Sequence, residues 1–513
     1  MPRRAQANYT LGVLVVVYVF NFLDRQIVSI LAERIKADLG VSDAQIGFLY
    51  GTAFAVFYAL FGIPLGRLAD VWDRRRLIAL GLAFWSAATA ASGLARGFGQ
   101  LAAARIGVGI GEASATPAAF SLLSDLFPPA RRATVLAIYS SGIYIGAGLG
   151  LGLGGLIVDR WDAAFTNAPP PFGLAGWQVA FLVVGLPGLL LAGWVTTLRE
   201  PTRGVMDGLP ASVDVHPWRA FGRELRAVLP PFTVLHLVLA RAGWRVVARN
   251  LAAALAITIG AALLTLVVGT PAQWIALGVG LYAAVSWAQA LALRDRPAAA
   301  LILNTPTLRA AALGFACLAF TGYGLGFWLA PFLVRVHGVS EADVGLVLGG
   351  ISAVAGWLGV TAGGVLADRW HRTRPHGRLL VGLVNALVPL PLALWLLWTD
   401  STWLIYVLAF PLLLSTSLWI GPGASTVQDL VLPRMRAVAS AAYLLVVTFI
   451  GLALGPYVIG RLSVAFGDLR LAMACGLVAN VFAALCLVYA TRHIAHDAAS
   501  VRERARAVGE KAP

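Results

Sequence analysis

The sequence predicts an all-α polytopic membrane protein in which two six-helix repeats flank two additional helices. The chain is 59% hydrophobic and 12% charged, whereas a soluble domain carries about 25% charged residues. Apolar stretches of about 20 residues recur, each long enough to cross a bilayer as a helix. They are continuous rather than alternating, which favours helices over a β-barrel. Short motifs of the first half recur in the second.

The predicted spans follow from these apolar stretches. In the first half they cover residues 9–34, 44–70, 76–95, 99–126, 132–158 and 175–198. In the second half they cover residues 308–334, 342–367, 378–398, 402–429, 436–460 and 469–491. Two more, 250–269 and 274–293, lie between the halves, so we expect fourteen spans. The stretch 229–240 is too short to cross, and we expect it in the membrane interface.

Two repeated motifs set the architecture. The stretch GVSDAQIG (40–47) recurs as GVSEADVG (338–345), and GRLADVWDRR (66–75) recurs as GVLADRWHRT (364–373). Both pairs are offset by 298 residues (338−40 and 364−66). The two halves are therefore parallel repeats, an arrangement that places a transporter's substrate site between them near the bilayer midplane.

A third match supports the repeat. The stretch SLLSDLFPPARRA (121–133) aligns with STVQDLVLPRMRA (425–437) at an offset of 304 (425−121). The predicted domain organisation is a first bundle, a cytoplasmic linker, two additional helices, a second bundle and a cytoplasmic tail, at residues 9–198, 199–249, 250–293, 308–491 and 492–513.

The net charge of +15 does not predict nucleic-acid binding. The basic residues cluster in short loops between apolar stretches, at 70–76, 128–132, 367–378 and 432–436. Loops rich in Lys and Arg face the cytoplasm. We therefore expect an inner-membrane protein with both termini cytoplasmic, and we expect it to be a monomer in the bilayer.

Nothing in the sequence predicts an enzyme, a cofactor or a metal site. Cys317, Cys475 and Cys486 lie inside apolar stretches and resemble small buried hydrophobic residues, without metal-ligand or disulfide spacing. We find no pairing of a nucleophile with a histidine, and the glycine-rich stretch GLGLGLGG lies inside a span. A membrane enzyme acting on lipids and a non-transporting sensor remain alternatives from other classes.

Four charged residues lie inside predicted spans of the first half: Asp24, Arg25, Arg105 and Glu112. Each costs about 2.5–3.5 kcal/mol at the bilayer centre unless a partner, water or function offsets it. With a rise of about 1.5 Å per residue, Asp24 and Arg105 lie at similar depth and Glu112 about 10 Å deeper.

Asp24 and Arg25 are neighbours that point about 100° apart on a helix, so at least one needs a partner elsewhere. One interpretation pairs Asp24 with Arg105. A second has Arg25 face the central cavity with Asp24 and bind an anionic head group, since the guanidinium fork suits phosphate and carboxylate. The third is that all four residues only hold the bundle together by ion pairing.

Glu112 has no basic residue after it on its own helix until beyond Phe127. A carboxyl group in apolar surroundings can take up a proton at physiological pH. The sequence therefore predicts Glu112 as the proton-coupling residue, with Asp24 as the next candidate. The alternative is a neutral, hydrogen-bonded core glutamate.

Aromatic residues predict a surface for an apolar tail, and glycine residues predict helices that can move against each other. In FTGYGLGFWLAPF (320–332), Tyr323 and Phe327 lie four apart and are our candidates for contact with an apolar tail. Glycines at 142, 146, 150 and 154 form a ridge on the fifth helix, and Gly451, Gly455 and Pro456 follow on the eleventh. Such residues let helices approach closely and bend. Ordinary static packing is the alternative for both features, and Gly146, Gly150, Gly455 and Pro456 are our gating candidates.

The motifs resemble a known family. GRLADVWDRRR (66–76) and RIGVGIGEA (105–113) resemble signatures of the major facilitator superfamily. NFLDRQ (21–26), GVGIGEASATPAAFSLLSDLF (107–127) and LREPTRG (198–204) resemble the spinster group of sphingolipid and lysophospholipid transporters, here a bacterial homologue. The signature usually has glycine where Asp73 stands, and most spinster proteins have twelve spans.

The resemblance implies roles for the loop signature. Asp70 would contact the neighbouring half in the outward-open state and act as a latch, with Arg74 at the start of the third helix. Asp368 and Arg369, with Arg372, would be the equivalent of this loop in the second half. A solvated loop that only sets topology is the alternative.

We therefore expect a secondary transporter that works by alternating access. Its substrate would be an amphipathic, lipid-like anion of the lysophospholipid or sphingoid-phosphate class, driven by or exchanged for protons. The alternative is a proton-driven exporter of drugs or other hydrophobic compounds. Arg25 distinguishes the two, because an exporter of cations has little use for it in the cavity.

Overall fold

The computed structural model describes residues 4–203, 206 and 216–510. Parts of the predicted linker 199–249 and the last residues of the predicted tail lie outside the described residues. The first half contains α1 (Arg4–Leu39), α2 (Asp43–Tyr50), α3 (Thr52–Val71), α4 (Arg74–Ser92), α5 (Phe98–Glu112), α6 (Ala115–Leu126), α7 (Pro129–Ser140), α8 (Gly142–Ala164) and α9 (Gly176–Val195). A short 3₁₀ turn, Pro171–Gly173, precedes α9.

Five helices connect this half to the second. They are α10 (Pro217–Val228), α11 (Phe232–Leu239), α12 (Trp244–Val268), α13 (Pro271–Arg294) and α14 (Arg296–Asn304). The second half contains α15 (Pro306–His337), α16 (Glu341–His371), α17 (Gly377–Leu387), α18 (Pro389–Trp398), α19 (Thr402–Thr416), α20 (Ile420–Asp429), α21 (Arg436–Val446), α22 (Gly455–Phe466), α23 (Leu469–Gly476), α24 (Val478–Ala499) and α25 (Val501–Ala507). A 3₁₀ turn, Pro433–Met435, precedes α21, and a π-helical segment, Val447–Leu454, separates α21 from α22.

The all-α membrane fold is confirmed. In the described chain, thirteen helical stretches are long and apolar enough to cross a membrane. They match thirteen of the fourteen predicted spans. The exception is the predicted span 76–95, which corresponds to α4. This helix has 19 residues and begins with three arginines, so its apolar part is short.

Contacts divide the chain into two units. The first contains residues up to Val41, Phe57–Leu225 and Ala330–Val354; the second contains Ser42–Val56, Arg226–Leu329 and the chain from Ala355 onward. Each unit therefore combines most of one repeat with a short segment of the other. The boundaries of the predicted six-helix bundles stay predictions.

In the first unit, glycines on α8 bring two helices against it. The predicted ridge packs on α1: a Cβ on Gly146 would lie 2.2 Å from the Val19 carbonyl oxygen, and one on Gly150 would lie 2.8 Å from that of Leu23. A second set of glycines on α8 faces α16. A Cβ on Gly148 would lie 2.6 Å from the Gly349 carbonyl oxygen. The ridge thus packs on a helix of its own repeat, and α8 meets the other repeat through different glycines.

In the second unit, glycines on α2 approach the segment that contains the π-helix. A Cβ on Gly47 would lie 2.5 Å from the Pro456 carbonyl oxygen, and one on Gly51 would lie 2.6 Å from that of Leu452. Gly455, a predicted gating residue, lies instead against α15, where its Cβ would be 2.5 Å from the Phe320 carbonyl oxygen. Main chains meet this closely only without side chains, so glycine is required here.

Candidate functional site

An ion pair between α1 and α5 forms the centre of the site in the first unit. Arg25 Nε donates to Glu112 Oε2 at 2.6 Å. The Glu112 side chain is fully buried, and that of Arg25 is 14% exposed. The guanidinium carbon also lies 4.7 Å from the ring centre of Phe22 and 4.9 Å from that of Tyr58. Both distances are within the range of cation–π attraction.

This pairing supplies the partner that sequence analysis did not find for Glu112. We had placed Glu112 about 10 Å deeper than Asp24 from helical rise alone. Side chains on a helix lean toward its N-terminus. Because α1 and α5 run in opposite directions in the predicted topology, Arg25 leans toward Glu112 and Glu112 leans toward Arg25. The two side chains therefore meet although their main-chain positions lie at different depths.

The position of Glu112 at the end of α5 has a local cause. The predicted span 99–126 is interrupted after Glu112 and resumes as α6 at Ala115. Ser114 Oγ donates to the Gly111 carbonyl oxygen at 2.8 Å, a local side-chain bond that competes with regular helix. The interruption makes Glu112 the last residue of α5, where the negative end of the helix dipole favours a cation such as Arg25.

Asp24 lies beside this pair with different partners. Its side chain is 1% exposed, and Oδ2 accepts a hydrogen bond from Thr89 Oγ1 at 3.1 Å. Arg105 Nη1 donates to the main-chain oxygen of Asp24 at 3.2 Å. Asp24 and Arg105 are thus neighbours, as expected, and the contact is made through the main chain. Within the described residues, Asp24 Oδ1 has no hydrogen-bond partner.

The chemistry of this cluster follows from its charges. Two carboxyl groups and two guanidinium groups are gathered in one buried region of the first unit, and each acid can change its charge by taking up a proton. Breaking a buried ion pair without a replacement is strongly unfavourable. Arg25 and Glu112 can therefore separate only when an anion replaces Glu112 or a proton neutralises it. This property suits coupled exchange.

Tyr323 and Phe327, the predicted apolar wall, lie on α15 in the second unit. Phe327 is fully buried and packs on Tyr50 with ring centres 4.3 Å apart. It also lies edge-on to Trp328 at 5.0 Å. Tyr323 is only partly buried. Phe327 therefore has the surroundings of a packed core residue, whereas Tyr323 keeps an accessible part.

The loop signature centres on Arg74. This side chain is fully buried; Nη1 contacts Asp125 Oδ2 at 2.5 Å and Nε contacts Glu200 Oε1 at 2.7 Å. Asp70 is exposed, with Oδ2 3.7 Å from Arg67 Nη1. Asp73, which stands where the signature usually has glycine, caps α4 by accepting a hydrogen bond from the Arg76 amide.

The second half repeats this arrangement with a residue that sequence analysis missed. Arg378 contacts Asp429 through Nη1, and its Nη2 lies 4.0 Å from Asp368 Oδ1. Arg369 is exposed. The offset of 304 that relates Asp125 to Asp429 also relates Arg74 to Arg378. We had applied the offset of 298 in the loop, but six extra residues intervene before Arg378.

A second group of charges was also missed. In the first unit, Arg34 Nε contacts Glu341 Oε1 at 2.8 Å and Arg34 Nη1 lies 3.4 Å from Asp162 Oδ2. Glu33 Oε1 lies 2.6 Å from Arg335 Nη2. The signal was the repeated motif itself, because Glu341 lies in GVSEADVG at the position of Asp43 in GVSDAQIG. Among the described residues, no group of His, Cys, Asp and Glu could hold a metal ion.

Comparison with known proteins supports these observations. Residues 14–456 match the model of the Major Facilitator Superfamily. The chain is 29% identical to an MFS-type efflux pump of Mycolicibacterium smegmatis, covering 93% of this chain and 88% of that protein. It is 25% identical to human protein spinster homolog 1, covering 88% of this chain and 72% of that protein.

A solved structure is similar over the whole chain. It is a bacterial homologue of the human lysosomal transporter Spinster in an inward-facing and unoccupied conformation. The TM-score is 0.69 at 26% identity, and the match covers 98% of this chain and 99% of that one. The nucleoside transporter NupG has a TM-score of 0.59 at 12% identity, covering 94% of this chain and 99% of that one, which shows a shared fold alone.

Proposed function

This chain belongs to the Major Facilitator Superfamily, whose members are membrane transporters and not enzymes, and from that premise we propose a proton-coupled transporter of amphipathic, lipid-like anions. It is a spinster-like, multi-pass membrane protein. The observation that carries the proposal is the buried pair of Arg25 and Glu112. Lysophospholipids and sphingoid phosphates provide the required combination of an anionic head group and an apolar tail.

The proposed cycle exchanges partners at Arg25. An anionic head group binds the guanidinium of Arg25 as a bidentate ligand and displaces Glu112. Glu112 then lacks a cation in a fully buried position and takes up a proton, because an uncompensated buried charge is unfavourable. Anion and proton are thus bound together, and their release restores the ion pair. Asp24, held by Thr89, is the second carboxyl group available for protonation.

Other parts of the cycle are carried over from sequence analysis as proposals. Tyr323 contributes to the surface that accepts the apolar tail, and the buried Phe327 supports that surface from the core. Asp70 acts as a latch in the outward-open state, and Asp368 occupies its place in the second repeat. The protein lies in a bacterial inner membrane, and the basic loops and both termini face the cytoplasm.

A second candidate function is export of hydrophobic compounds driven by protons. The similarity to an efflux pump over 93% of the chain favours it. Exporters of cations need an acid in the site and no buried guanidinium. Because Arg25 lies in the first unit next to aromatic rings and not at a surface, we favour the anionic substrate.

Uptake into proteoliposomes tests the proposal. Purified protein is offered lysophospholipids or sphingoid phosphates with and without an imposed pH gradient, and cationic hydrophobic compounds as the competing substrates. Arg25→Ala should abolish uptake of the anions, and Arg25→Lys should impair it, because an ammonium group cannot form a bidentate contact. Arg96→Ala, at an exposed arginine in the loop between α4 and α5, is the matched control and should transport normally.

Full activity of purified Arg25→Ala protein contradicts the role of Arg25. Uptake of the cationic compounds alone, dependent on the pH gradient and independent of Arg25, supports the exporter instead.

A further inference from the structure

The basic end of the two additional helices is a surface of unusual composition. Residues 226–294 contain five arginines and no aspartate or glutamate. Three of these arginines, at 241, 245 and 249, lie within nine residues where α12 begins, and all three are exposed. Trp244 between them is 79% exposed. Positive charge and an aromatic ring are thus concentrated at one end of a membrane-spanning helix.

The local fold directs these charges outward. Arg245 and Arg249 are four residues apart, so they lie on one face of α12. Asn250 is fully buried and donates to Ser286 Oγ at 3.0 Å and to Gln289 Oε1 at 2.8 Å. These bonds fix the neighbouring side of α12, about 100° away, against α13, while Arg249 stays exposed.

The arginines also lie at the unfavourable end of a helix dipole. The N-terminus of α12 carries partial positive charge from its free amide groups, and cations there are destabilising. Among the described residues, the guanidinium groups of Arg241, Arg245 and Arg249 have no hydrogen bond or ion pair. Both the dipole and the side chains therefore attract an anion.

An exposed apolar face continues this surface on α11. Phe232, Leu235, Val238 and Leu239 are 46%, 46%, 56% and 60% exposed and recur at spacings that place them on one side of the helix. Leu237, on the other side, is buried. An apolar face beside arginine and tryptophan is typical of segments that lie in the membrane interface.

We propose that α11 and the start of α12 bind anionic phospholipid head groups of the adjacent leaflet. The three arginines and the N-terminus of α12 hold the head-group phosphates, and Trp244 and the exposed face of α11 enter the boundary with the acyl chains. Charge complementarity favours lipid over a protein partner, because α12 is itself a span with no buried position in its most apolar window. The proposal concerns a permanent lipid contact and is independent of the transported substrate.

The test measures lipid selectivity by native mass spectrometry. Delipidated full-length protein is incubated with equal amounts of phosphatidylglycerol and phosphatidylcholine, and the ratio of the two retained lipids is determined. Wild-type protein should retain more phosphatidylglycerol. Changing Arg241, Arg245 and Arg249 together to Gln should lower the ratio by at least about fivefold, since each basic residue near a membrane surface attracts anionic lipid. The corresponding lysine variant should stay within about twofold of wild type.

The matched control removes the same charge elsewhere. Arg372, Arg374 and Arg492 are also exposed, and their joint change to Gln should leave the ratio within about twofold of wild type. Single Gln variants at 241, 245 and 249 serve if the triple variant does not fold, and each should lower the ratio by about twofold or more. An equal fall in the control, or an unchanged ratio in the glutamine variants, overturns the proposal and leaves the arginines with a topological role or a protein partner.

Discussion

Two helix interfaces, one in each unit, are built from the same repeated motif and stabilised differently. In the first unit, Gly345 and Gly349 of α16 approach α8, with Cβ positions 2.3 Å and 2.6 Å from the carbonyl oxygens of Leu151 and Gly148. In the second, Gly47 and Gly51 of α2 approach α22 and the π-helical segment. The two glycine pairs are related by the repeat offset of 298 (345−47 and 349−51).

The polar contacts at these interfaces differ. Glu341, at the start of α16, accepts hydrogen bonds from Arg34 at 2.8 Å and 3.2 Å. Its counterpart Asp43, at the start of α2, accepts a hydrogen bond from Ser463 Oγ at 2.6 Å. The close main-chain approach is common to both interfaces, whereas the contacts of the two acids differ: Glu341 pairs with an arginine of α1 and Asp43 accepts a hydrogen bond from a serine of α22.

The additional helices contact the α2–α22 interface of the second unit. At Gly280 of α13, a Cβ would lie 3.0 Å from Val56 and 3.1 Å from Phe449. Near the connection between α12 and α13, Arg461 Nε donates to the Val268 carbonyl oxygen at 3.1 Å, and Thr270 hydrogen-bonds Tyr457. The α2–α22 interface is thus covered by a helix from outside the two repeats.

The largest loss of transport is expected when a side chain is added at either glycine contact. Gly345→Ala and Gly47→Ala each place a methyl group within 2.5 Å of a main-chain oxygen, which backbone cannot accommodate without shifting. We expect each variant to lose at least about tenfold in transport and about 1–3 kcal/mol in stability. Uptake into proteoliposomes and thermal unfolding measure the two effects.

Gly350→Ala is the control, because a Cβ there meets nothing within 4 Å and the helix is the same. Equal tolerance of alanine at all three positions means that the interfaces are not closed by glycine contacts.

The next largest effect is expected from removing the charge of Glu341 at the α8–α16 interface. Glu341→Gln should loosen the start of α16, since it removes one of the two acidic partners of Arg34 on α1; because Arg34 is 42% exposed, we expect only about 1 kcal/mol. The rate of thiol modification at Leu348→Cys, in a background without the three natural cysteines, should rise in this variant. In the parent protein that rate should also rise with salt, which screens the pair.

Asp43→Asn is the corresponding change at the α2–α22 interface. The thiol modification rate is measured there at Tyr50→Cys, because Tyr50 lies 298 residues before Leu348. This modification rate should respond less to salt than that at Leu348→Cys, because Asp43 is buried whereas Arg34 is 42% exposed, and salt screens buried contacts less. A salt response of equal size at both positions removes the distinction drawn between the interfaces.

A smaller effect is expected from loosening the covering helix. Gly280→Val adds bulk next to Phe449 and should cost about 1–2 kcal/mol of stability. Modification at Tyr50→Cys should become faster, while that at Leu348→Cys stays the same. Gly260→Val on α12 is the control, as a Cβ there contacts nothing within 4 Å. Faster modification at Leu348→Cys would show that the helix is not specific to one interface.

The smallest effect concerns the other end of this helix. Arg434 Nη1 contacts Asp295 Oδ2 at 2.6 Å and also contacts Glu510 in the tail. The hydrogen bond from Arg434 lowers the pKa of Asp295 below its ordinary value. A lowered folded-state pKa means that the stabilisation is present at neutral pH and is lost as the pH falls through that pKa.

Arg434→Gln should accordingly lower Tm by less than about 2 °C at pH 7, since the contact is half-exposed. At acidic pH, where Asp295 is protonated in both proteins, Tm should be unchanged. A shift of equal size at both pH values would assign the effect to packing.

Sequence patterns predicted the repeated motifs, thirteen of the fourteen spans and the four charges inside them, because periodic hydrophobicity and charge inside apolar stretches are local signals. The partner of Glu112 could not be predicted, because it depends on how two antiparallel helices lean their side chains toward each other. Arg378 was missed because the repeat offset changes from 298 to 304 across an insertion. The contact of Gly148 with α16 was missed because α8 carries glycines on two sides, and the sequence does not show which helix each side meets.

The exchange at Arg25 and Glu112 is tested most directly by counting protons as substrate binds. Purified protein in weakly buffered solution near pH 7 is mixed with a lysophospholipid or sphingoid phosphate that Arg25-dependent uptake has identified, and the change in pH is recorded. We expect about one proton taken up per bound anion in the parent protein, and none in Glu112→Gln, which retains substrate binding through Arg25. Proton uptake of the same size in Glu112→Gln would contradict the exchange. The proton would then be assigned to another carboxyl group, and Asp24 would be the next to test.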